Sequence, residues 1–233
     1  AQPPHPTTFA CRHMNTPAVT ETHSSDLFFD ADRAYKILKT VTLSILDYAD
    51  RPTRLAAARR ELELNQRLAP DVYLGLADIW EGDELTDHMI VMRRMPDDRR
   101  LSHLVDHPGF DDCVRRVARA MAAFHAAEPP VADPSVATPD ATRSRWEDNF
   151  VVIDAHIPDI ISAADSERAR RLALGYVQAN TPVFQQRIDE GWVRDGHGDL
   201  IADDIFCLPD GPRILDCLAF RDDFRISDVL ADI

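Results

Sequence analysis

Carboxylates are concentrated in one stretch of the chain, residues 192–220. A histidine and six aspartates surround two short apolar runs there, 205–208 and 213–215: His197, Asp195, Asp199, Asp203, Asp204, Asp210 and Asp216. Between the runs stands Pro209-Asp210-Gly211-Pro212, and turn residues of this kind between apolar segments predict a β-hairpin.

The register of this hairpin decides which acids meet. A three-residue turn would place Asp204 directly opposite Asp216, whereas a four-residue turn would move the register by one residue. Opposed Cβ atoms lie about 5 Å apart, and like charges placed in this way repel each other. A cation between the carboxylates would remove the repulsion, and Asp199, just before the first strand, could reach the same place. We therefore predict a divalent-metal site with a third acid beside it.

Composition limits the classes of function. A hydrophobic share of 45% and a charged share of 28% over 233 residues are ordinary for a soluble globular protein. The formal charge of −14 argues against binding to nucleic acid or to an anionic membrane. No apolar run approaches the roughly 20 residues that cross a bilayer. The four cysteines show no CxxC spacing, which favours a reduced, cytoplasmic setting.

Lysine is rare in this sequence. Only two of the 26 basic residues are lysines, Lys36 and Lys39, and both lie in one short segment. A compact, flexible ammonium differs from a guanidinium where a phosphate must be reached. An arginine-biased genome explains the same count, so the two lysines indicate a phosphate-binding role only in combination with other residues.

The first part of the chain reads as strands around one helix. Residues 1–17 are aperiodic and predict a tail. Antiparallel strands are predicted at 18–22, 27–29 and 33–39, and two more at 72–80 and 88–92. A helix is predicted over 51–68, with an apolar face formed by Leu55, Ala58, Leu62 and Leu68.

The second part is mainly helical. A helix is predicted over 112–127, with a face formed by Val114, Val117, Met121 and Phe124. Residues 128–143 predict a proline-rich loop. A second helix over 165–188, with Leu172 and Tyr176 on its apolar face, must bend or restart at Pro182. Residues 227–233 predict the start of a further helix. Since no βαβ alternation occurs, the predicted fold class is α+β.

Several motifs in chain order resemble the aminoglycoside-phosphotransferase-like family of the protein-kinase-like superfamily, and most of all an uncharacterised bacterial branch of it. They cover about residues 18–233: Glu21-Thr22-His23, Asp32-Arg33-Ala34-Tyr35-Lys36, Glu61-Leu62-Glu63-Leu64-Asn65, Val91-Met92-Arg93-Arg94, Phe124-His125-Ala126-Ala127, His197-Gly198-Asp199 and Ile214-Leu215-Asp216. The resemblance implies a two-lobed fold with a nucleotide-binding N-lobe at 18–95 and a helical C-lobe at 96–233. It also implies further C-terminal helices after Ile233, so the chain is expected to be part of a longer polypeptide.

The resemblance implies a role for each matching residue. Lys36 would bind the phosphates of ATP, and Glu61, rather than the neighbouring Glu63, would pair with it. Asp199 would be the catalytic base, with Asp216 and Asp204 as ligands of Mg²⁺. The remaining nucleotide contacts would come from a phosphate-covering turn and an interlobe hinge: Thr22, His23, Ser24, Ser25, Arg93 and Met95.

The expected activity is ATP- and Mg²⁺-dependent transfer of a phosphoryl group to a hydroxyl of a small molecule. A P-loop kinase domain, fused or separate, is an expected partner. Two departures keep a pseudokinase or binding module as the alternative: Asp204 stands where the family has Asn, and the nucleotide turn contains no glycine. A metal-dependent hydrolase centred on Asp195, His197 and Asp199 is a further alternative.

Overall fold

The structure is a computed structural model and describes residues 18–43 and 46–232. The predicted tail, 1–17, lies outside the described residues, as does Ile233. The described chain divides into two compact units. The first contains the described residues up to Phe124 together with Asp199–Arg221, and the second contains His125–Gly198 and the described residues from Asp222 onward. The predicted lobe boundary near Met95 stays a prediction.

A five-stranded antiparallel sheet forms the base of the first unit. Its strands are β1 (Ala18–Glu21), β2 (Ser25–Asp30), β3 (Arg33–Leu38), β6 (Tyr73–Glu81) and β7 (Glu84–Arg93), and they lie in the order β1-β2-β3-β7-β6. A separate short pair is formed by β4 (Thr42–Leu43) and β5 (Leu46–Asp47). The five predicted strands are confirmed, with shifts of a few residues at their ends.

Helix α1 (Arg51–Asn65) begins at Asp50, whose side chain accepts a hydrogen bond from the backbone N–H of Thr53. It ends three residues before the predicted end at Leu68. The predicted apolar face is wrong in part, because the buried residues are Arg54, Ala58, Glu61, Leu64 and Asn65. The buried face carries polar side chains that interact with other parts of the chain. Arg54, for example, forms an ion pair with Asp87. A search for apolar periodicity alone misses such a face.

Two apolar clusters support the sheet and the hairpin. The first packs α1 against the sheet and includes Leu38, Ala58, Val72, Tyr73, Ile90 and Leu215. The second packs α2 (Phe110–Ala127) against the hairpin and includes Val117, Met121, Phe124, Ile205, Cys207 and Ile214. Val114 was predicted to lie on the apolar face of α2, but it is 41% exposed.

The predicted hairpin is present as β9 (Ile205–Leu208) and β10 (Gly211–Ile214), but both predicted turn lengths are wrong. Leu208 pairs with Gly211, so the turn has only two residues, Pro209 and Asp210. Gly211 allows this sharp reversal because its φ of 148° is accessible to glycine. As a result Asp204 stands opposite Leu215, whose N–H donates to the Asp204 carbonyl at 2.9 Å, and Asp216 lies one residue further.

The second unit holds the helices α3 (Pro139–Asp154), α4 (Ala163–Ala179) and α5 (Thr181–Asp189). The predicted loop at 128–143 is therefore wrong from Pro139 onward, where Thr138 caps α3 through the Ala141 N–H. The predicted helix over 165–188 is two helices, because a new helix starts just before Pro182. Leu172 and Tyr176 are each 65% exposed, so their predicted apolar face is not buried.

The helix start predicted over 227–233 is wrong at its first two residues, which lie in a strand. Strand β8 (Val193–Asp195) pairs with β11 (Ile226–Asp228), which follows the short helix α6 (Asp222–Arg225). A single 3-10 turn, Val229–Asp232, comes after β11. Pairing with β8 satisfies the backbone groups that a helix would otherwise satisfy internally. None of the described helices has the length and hydropathy needed to cross a bilayer.

Candidate functional site

Lys36 occupies the middle of the sheet in the first unit. It lies on β3, opposite Leu27 of β2 and Ile90 of β7. Its Nζ lies 2.8 Å from Oε1 of Glu61 and donates a hydrogen bond of 2.8 Å to Oδ1 of Asp216. The structure thus joins three of the predicted site residues through one ammonium group.

Of the two glutamates on α1, it is Glu61 that reaches Lys36. The Glu61 side chain is 9% exposed and faces the sheet. Glu63 is 71% exposed and pairs with Arg60 on the surface of the helix. The helical periodicity of the sequence does not show which glutamate pairs with Lys36. The packing of α1 against the sheet selects Glu61.

The charges of this cluster depend on one another. Burial acts to lower the pKa of Lys36, but the carboxylates of Glu61 and Asp216 outweigh it, so the pKa lies well above its ordinary value. Burial raises the pKa of Glu61, Asp216 raises it further, and Lys36 opposes the rise. A lysine in this setting stays protonated, as a phosphate-binding group must.

Asp204 lies close to this cluster at the start of the hairpin. Burial, followed by the charge of Asp216, raises its pKa from 3.8 to about 6. The charges of Arg100 and Lys36 oppose the rise, and that of Asp199 adds to it. Arg100 is also bonded to the loop through the carbonyl of Asp203. Asp204 is therefore near enough to both Asp216 and Asp199 to be repelled by their charges, although the hairpin register does not set Asp204 opposite Asp216.

The donor set suits a hard divalent cation. Asp204 and Asp216 both present carboxylate oxygens, which Mg²⁺ prefers, and Mg²⁺ is usually held by one or two carboxylates together with substrate phosphates and water. Burial contributes most to the raised pKa of Asp204, and the negative charge of Asp216, which a cation would offset, contributes next. Within residues 18–43 and 46–232, no three His, Cys, Asp or Glu side chains form a metal-binding group by themselves. The residues present fit Mg²⁺ as a two-carboxylate site that a nucleotide would complete.

The backbone of Asp216 takes an uncommon conformation. Its φ is 61°, in the left-handed region that residues other than glycine seldom adopt. The N–H of Asp216 donates to the hydroxyl of Tyr73 at 3.2 Å, and the N–H of Cys217 donates to Oδ1 of Asn65 at 2.8 Å. Sequence reasoning missed both Tyr73 and Asn65. The one available signal was Asn65 itself, since asparagine is a weak helix former in a turn rich in leucine.

The predicted phosphate-covering turn, Thr22 to Ser25, joins β1 to β2. The Thr22 and Ser25 hydroxyl oxygens lie 2.9 Å apart, and the Ser25 N–H donates to Oγ1 of Thr22. Lys39 holds the turn from outside: its Nζ donates to the Thr22 carbonyl at 2.7 Å and pairs with Glu21 and Asp26. Side chains thus order a turn that contains no glycine. His23 is exposed and Ser24 is half-buried.

The two predicted hinge residues lie at the end of β7. Arg93 is its last residue, donates its N–H to the Val72 carbonyl at 2.8 Å and pairs with Asp71. Met95 packs against the same apolar cluster that contains Tyr73. Both residues therefore belong to the first unit, as do Lys36 and Asp216.

Two of the three residues of the hydrolase alternative, Asp195 and His197, are engaged in other contacts. Asp195 forms an ion pair with Arg225, whose side chain is fully buried, at 2.5 Å. His197 is also fully buried, and its backbone N–H donates to Asp232 at 2.7 Å. Asp232 accepts further hydrogen bonds from the Gly198 N–H and from Nε2 of His125. Asp195 and His197 hold the second unit together instead of presenting free ligands.

The chain is similar in sequence to one part of several longer proteins. Uncharacterised proteins of Mycobacterium tuberculosis and Mycobacterium bovis are 33% identical to it over 219 residues, which is 92% of this chain and 44% of each relative. The chain thus spans less than half the length of these curated relatives. No protein-family model matches the chain.

Among solved structures, the chain is similar to the ADP-bound crystal structure of the aminoglycoside phosphotransferase APH(2'')-Ib. The TM-score is 0.52 over 94% of this chain and 69% of that chain, at 16% sequence identity. At this identity the likeness shows the fold. The predicted fold class, α+β and protein-kinase-like, is confirmed.

Proposed function

We propose that this chain binds ATP with Mg²⁺ and transfers its terminal phosphoryl group to a hydroxyl of a small molecule. The observation that carries the proposal is the joint contact of Lys36 with Glu61 and Asp216. Asp204 lies near Asp216 and is also near Asp199, because the charges of both act on its carboxyl group. A strand lysine oriented by a helix glutamate, beside acids that suit a metal and a base, is the set that phosphoryl transfer needs in a kinase-like fold.

Each residue has one task in this reaction. Lys36 holds the nucleotide phosphates, and Glu61 keeps the ammonium oriented toward them. The Asp199 carboxylate accepts the proton of the acceptor hydroxyl, and the oxygen of that hydroxyl forms a bond to the γ-phosphorus of ATP. At the same time the bond from the γ-phosphorus to the β,γ-bridging oxygen breaks, and ADP leaves. Asp216 and Asp204 would hold Mg²⁺, which when bound neutralises charge on the phosphates. Thr22 to Ser25 would cover the phosphates, and residues 93–95 would meet the adenine.

A thermal-shift titration with ATP, with and without Mg²⁺, tests the proposal. We expect ATP to raise the melting temperature and Mg²⁺ to increase that shift, and we expect ATP to lose its terminal phosphate to a hydroxyl of an added small molecule. Absence of any nucleotide-dependent stabilisation would rule the proposal out. Stabilisation by metal alone, coupled to hydrolysis of an ester, would instead favour a hydrolase.

A second candidate is a nucleotide-binding module that does not turn over. Asp204 favours it, because a carboxylate replaces the neutral Asn of the family and adds negative charge beside Asp216. The two candidates differ in a single observable. Under the second, ATP stabilises the protein without loss of its terminal phosphate.

The remaining proposals concern the wider protein. The mycobacterial relatives are more than twice as long as the stretch that they share with this chain. This is compatible with a further domain beside the kinase-like part, and a P-loop kinase domain, fused or separate, is the partner we propose. We also propose a helical segment after Ile233 that shapes the acceptor pocket, and a cytoplasmic location.

A further inference from the structure

Three successive backbone N–H groups at the end of the hairpin are each held by a different element. Leu215 donates to the carbonyl of Asp204, which precedes β9. Asp216 donates to the hydroxyl of Tyr73, the first residue of β6. Cys217 donates to Oδ1 of Asn65, the last residue of α1. The middle one of these residues is the candidate metal ligand.

Tyr73 and Asn65 are buried polar side chains whose position is itself well defined. Their residues are 1% and 0% exposed. The Tyr73 ring packs in the apolar cluster between α1 and the sheet. Asn65 donates from Nδ2 to the carbonyl of Glu61 at 2.9 Å, so its amide is fixed at both ends. A buried hydroxyl or amide left without a partner is costly, and each therefore favours the conformation of residues 216–217 that satisfies it.

That conformation is one that the local sequence does not favour. Asp216 has a positive φ, and such backbone strain persists only where the surrounding structure imposes it. In this conformation the Asp216 side chain reaches Lys36, which also contacts Glu61. Asn65 thus ties the backbone of Glu61 to that of Cys217, while the side chains of Glu61 and Asp216 meet at Lys36.

We propose that Tyr73 and Asn65 are positioning residues, which hold the backbone of Asp216 in the orientation that its carboxylate needs for the divalent cation. This inference rests on the proposed function, because it gives Asp216 the role of a metal ligand. Neither side chain is proposed to contact the nucleotide or the metal. They act through the backbone N–H groups of residues 216 and 217.

The test is Tyr73→Phe in the full chain, which removes one oxygen and keeps the ring. The affinity for ATP is measured with and without Mg²⁺. We expect the Mg²⁺-dependent gain in affinity to fall about tenfold, the equivalent of one lost hydrogen bond of about 1.4 kcal/mol. The Mg²⁺-free affinity, which depends on Lys36, should stay unchanged. Hydrogen exchange without nucleotide should show a faster-exchanging Asp216 amide in the variant.

Tyr48→Phe is the matched control. Tyr48 belongs to the same apolar cluster, and the charges of Glu61, Lys36 and Asp216 act on its hydroxyl group. The hydrogen bond from the Asp216 N–H goes to Tyr73 and not to Tyr48. The Tyr48→Phe variant should keep the wild-type Mg²⁺ dependence of ATP affinity and the wild-type exchange rate of the Asp216 amide. Asn65→Ala serves as a second variant and should reduce the Mg²⁺-dependent gain in the same way, with faster exchange at Cys217.

The outcomes separate this inference from the proposed function. If the wild-type chain shows no Mg²⁺-dependent nucleotide binding, the proposed function fails and this inference fails with it. If the wild type shows that dependence and Tyr73→Phe retains it in full, only the inference fails. A loss of melting temperature in Tyr73→Phe with an unchanged Mg²⁺ effect indicates a purely structural role and also overturns the inference.

Discussion

Nζ of Lys36 donates a hydrogen bond of 2.8 Å to Oδ1 of Asp216, a residue 180 positions further along the chain. The same ammonium lies 2.8 Å from Glu61, so one lysine joins a strand, a helix and the end of the hairpin. A nucleotide phosphate would compete with Asp216 for this ammonium. If the chain binds a nucleotide as proposed, the contacts of Lys36 would have to be redistributed, and the carboxylate of Asp216 would become available to a cation.

Variants of Asp199 and Asp216 should affect turnover and ATP binding differently. Asp199→Ala removes the proposed base, so ATP affinity should stay within about twofold of the wild type while turnover falls by at least about 100-fold. Asp216→Ala should remove the Mg²⁺ dependence of ATP binding. Both are measured by nucleotide binding at matched Mg²⁺ and by ADP release. Equal loss of binding in the two variants would contradict these roles.

Glu61 and Glu63 provide a matched pair on one helix. Glu61→Gln removes a buried charge that contacts Lys36 and should lower the free energy of unfolding by about 1–3 kcal/mol. Glu63→Gln changes an exposed residue and should alter it by no more than about 0.5 kcal/mol. Urea unfolding measures both. The pairing of Lys36 with Glu61 would lose its support if the two variants were equally stable.

Asp204 should make the stability of the chain depend on pH. Its folded-state pKa of about 6 lies above the ordinary 3.8, so the folded state binds this proton more tightly than the unfolded state. The stabilising contribution is thus complete below about pH 4 and is lost as the pH rises through about 6. Without metal, Asp204→Asn should gain about 1–2 kcal/mol over the wild type between about pH 4.5 and pH 7.5, after allowance for solvent screening.

Denaturant unfolding of both proteins across this range checks the prediction. The difference between the two curves isolates Asp204 from other titrating groups. Parallel curves would show that Asp204 has an ordinary pKa in the folded chain.

Lys39 should matter for nucleotide binding although it lies outside the site. Lys39→Met removes the group that holds the Thr22 carbonyl, Glu21 and Asp26 together, so the proposed phosphate-covering turn should lose its order. We expect ATP affinity to fall by roughly threefold to tenfold, the effect of about one hydrogen bond. Arg33→Met is the control, since Arg33 pairs with the exposed Asp32 beside it at the start of β3, the strand that Lys39 directly follows. Titration calorimetry should show no change for the control.

Asp232 should be decisive for the stability of the second unit. It accepts hydrogen bonds from His125 and from the backbone of His197 and Gly198, and it is 3% exposed. A Cβ at Gly196 would overlap its carboxylate, which shows how closely the loop is packed around it. Asp232→Ala should cost about 3–5 kcal/mol because it leaves buried donors unpaired. Asp148→Ala, at an exposed position of α3, should cost no more than about 0.5 kcal/mol in the same urea assay.

The sequence by itself determined the fold class, most elements and the residue types of the candidate site. The alternation around Lys36 predicts its strand, and the turn residues Pro209-Asp210 predict the hairpin. Both are local patterns, which short stretches of chain encode through side-chain period and turn chemistry. The motifs around Asp199 and Asp216 are short as well, so the amino-acid order alone is enough to recognise them.

The tertiary structure decided which of these residues meet. The choice of Glu61 over Glu63 depends on how α1 packs against the sheet, and the hairpin register depends on a two-residue turn that the sequence did not distinguish from longer ones. Tyr73 and Asn65 read as core and helix residues, because their partners lie 143 and 152 positions away. A buried polar group is defined by its partner, and only the packed chain brings partners at such separations together.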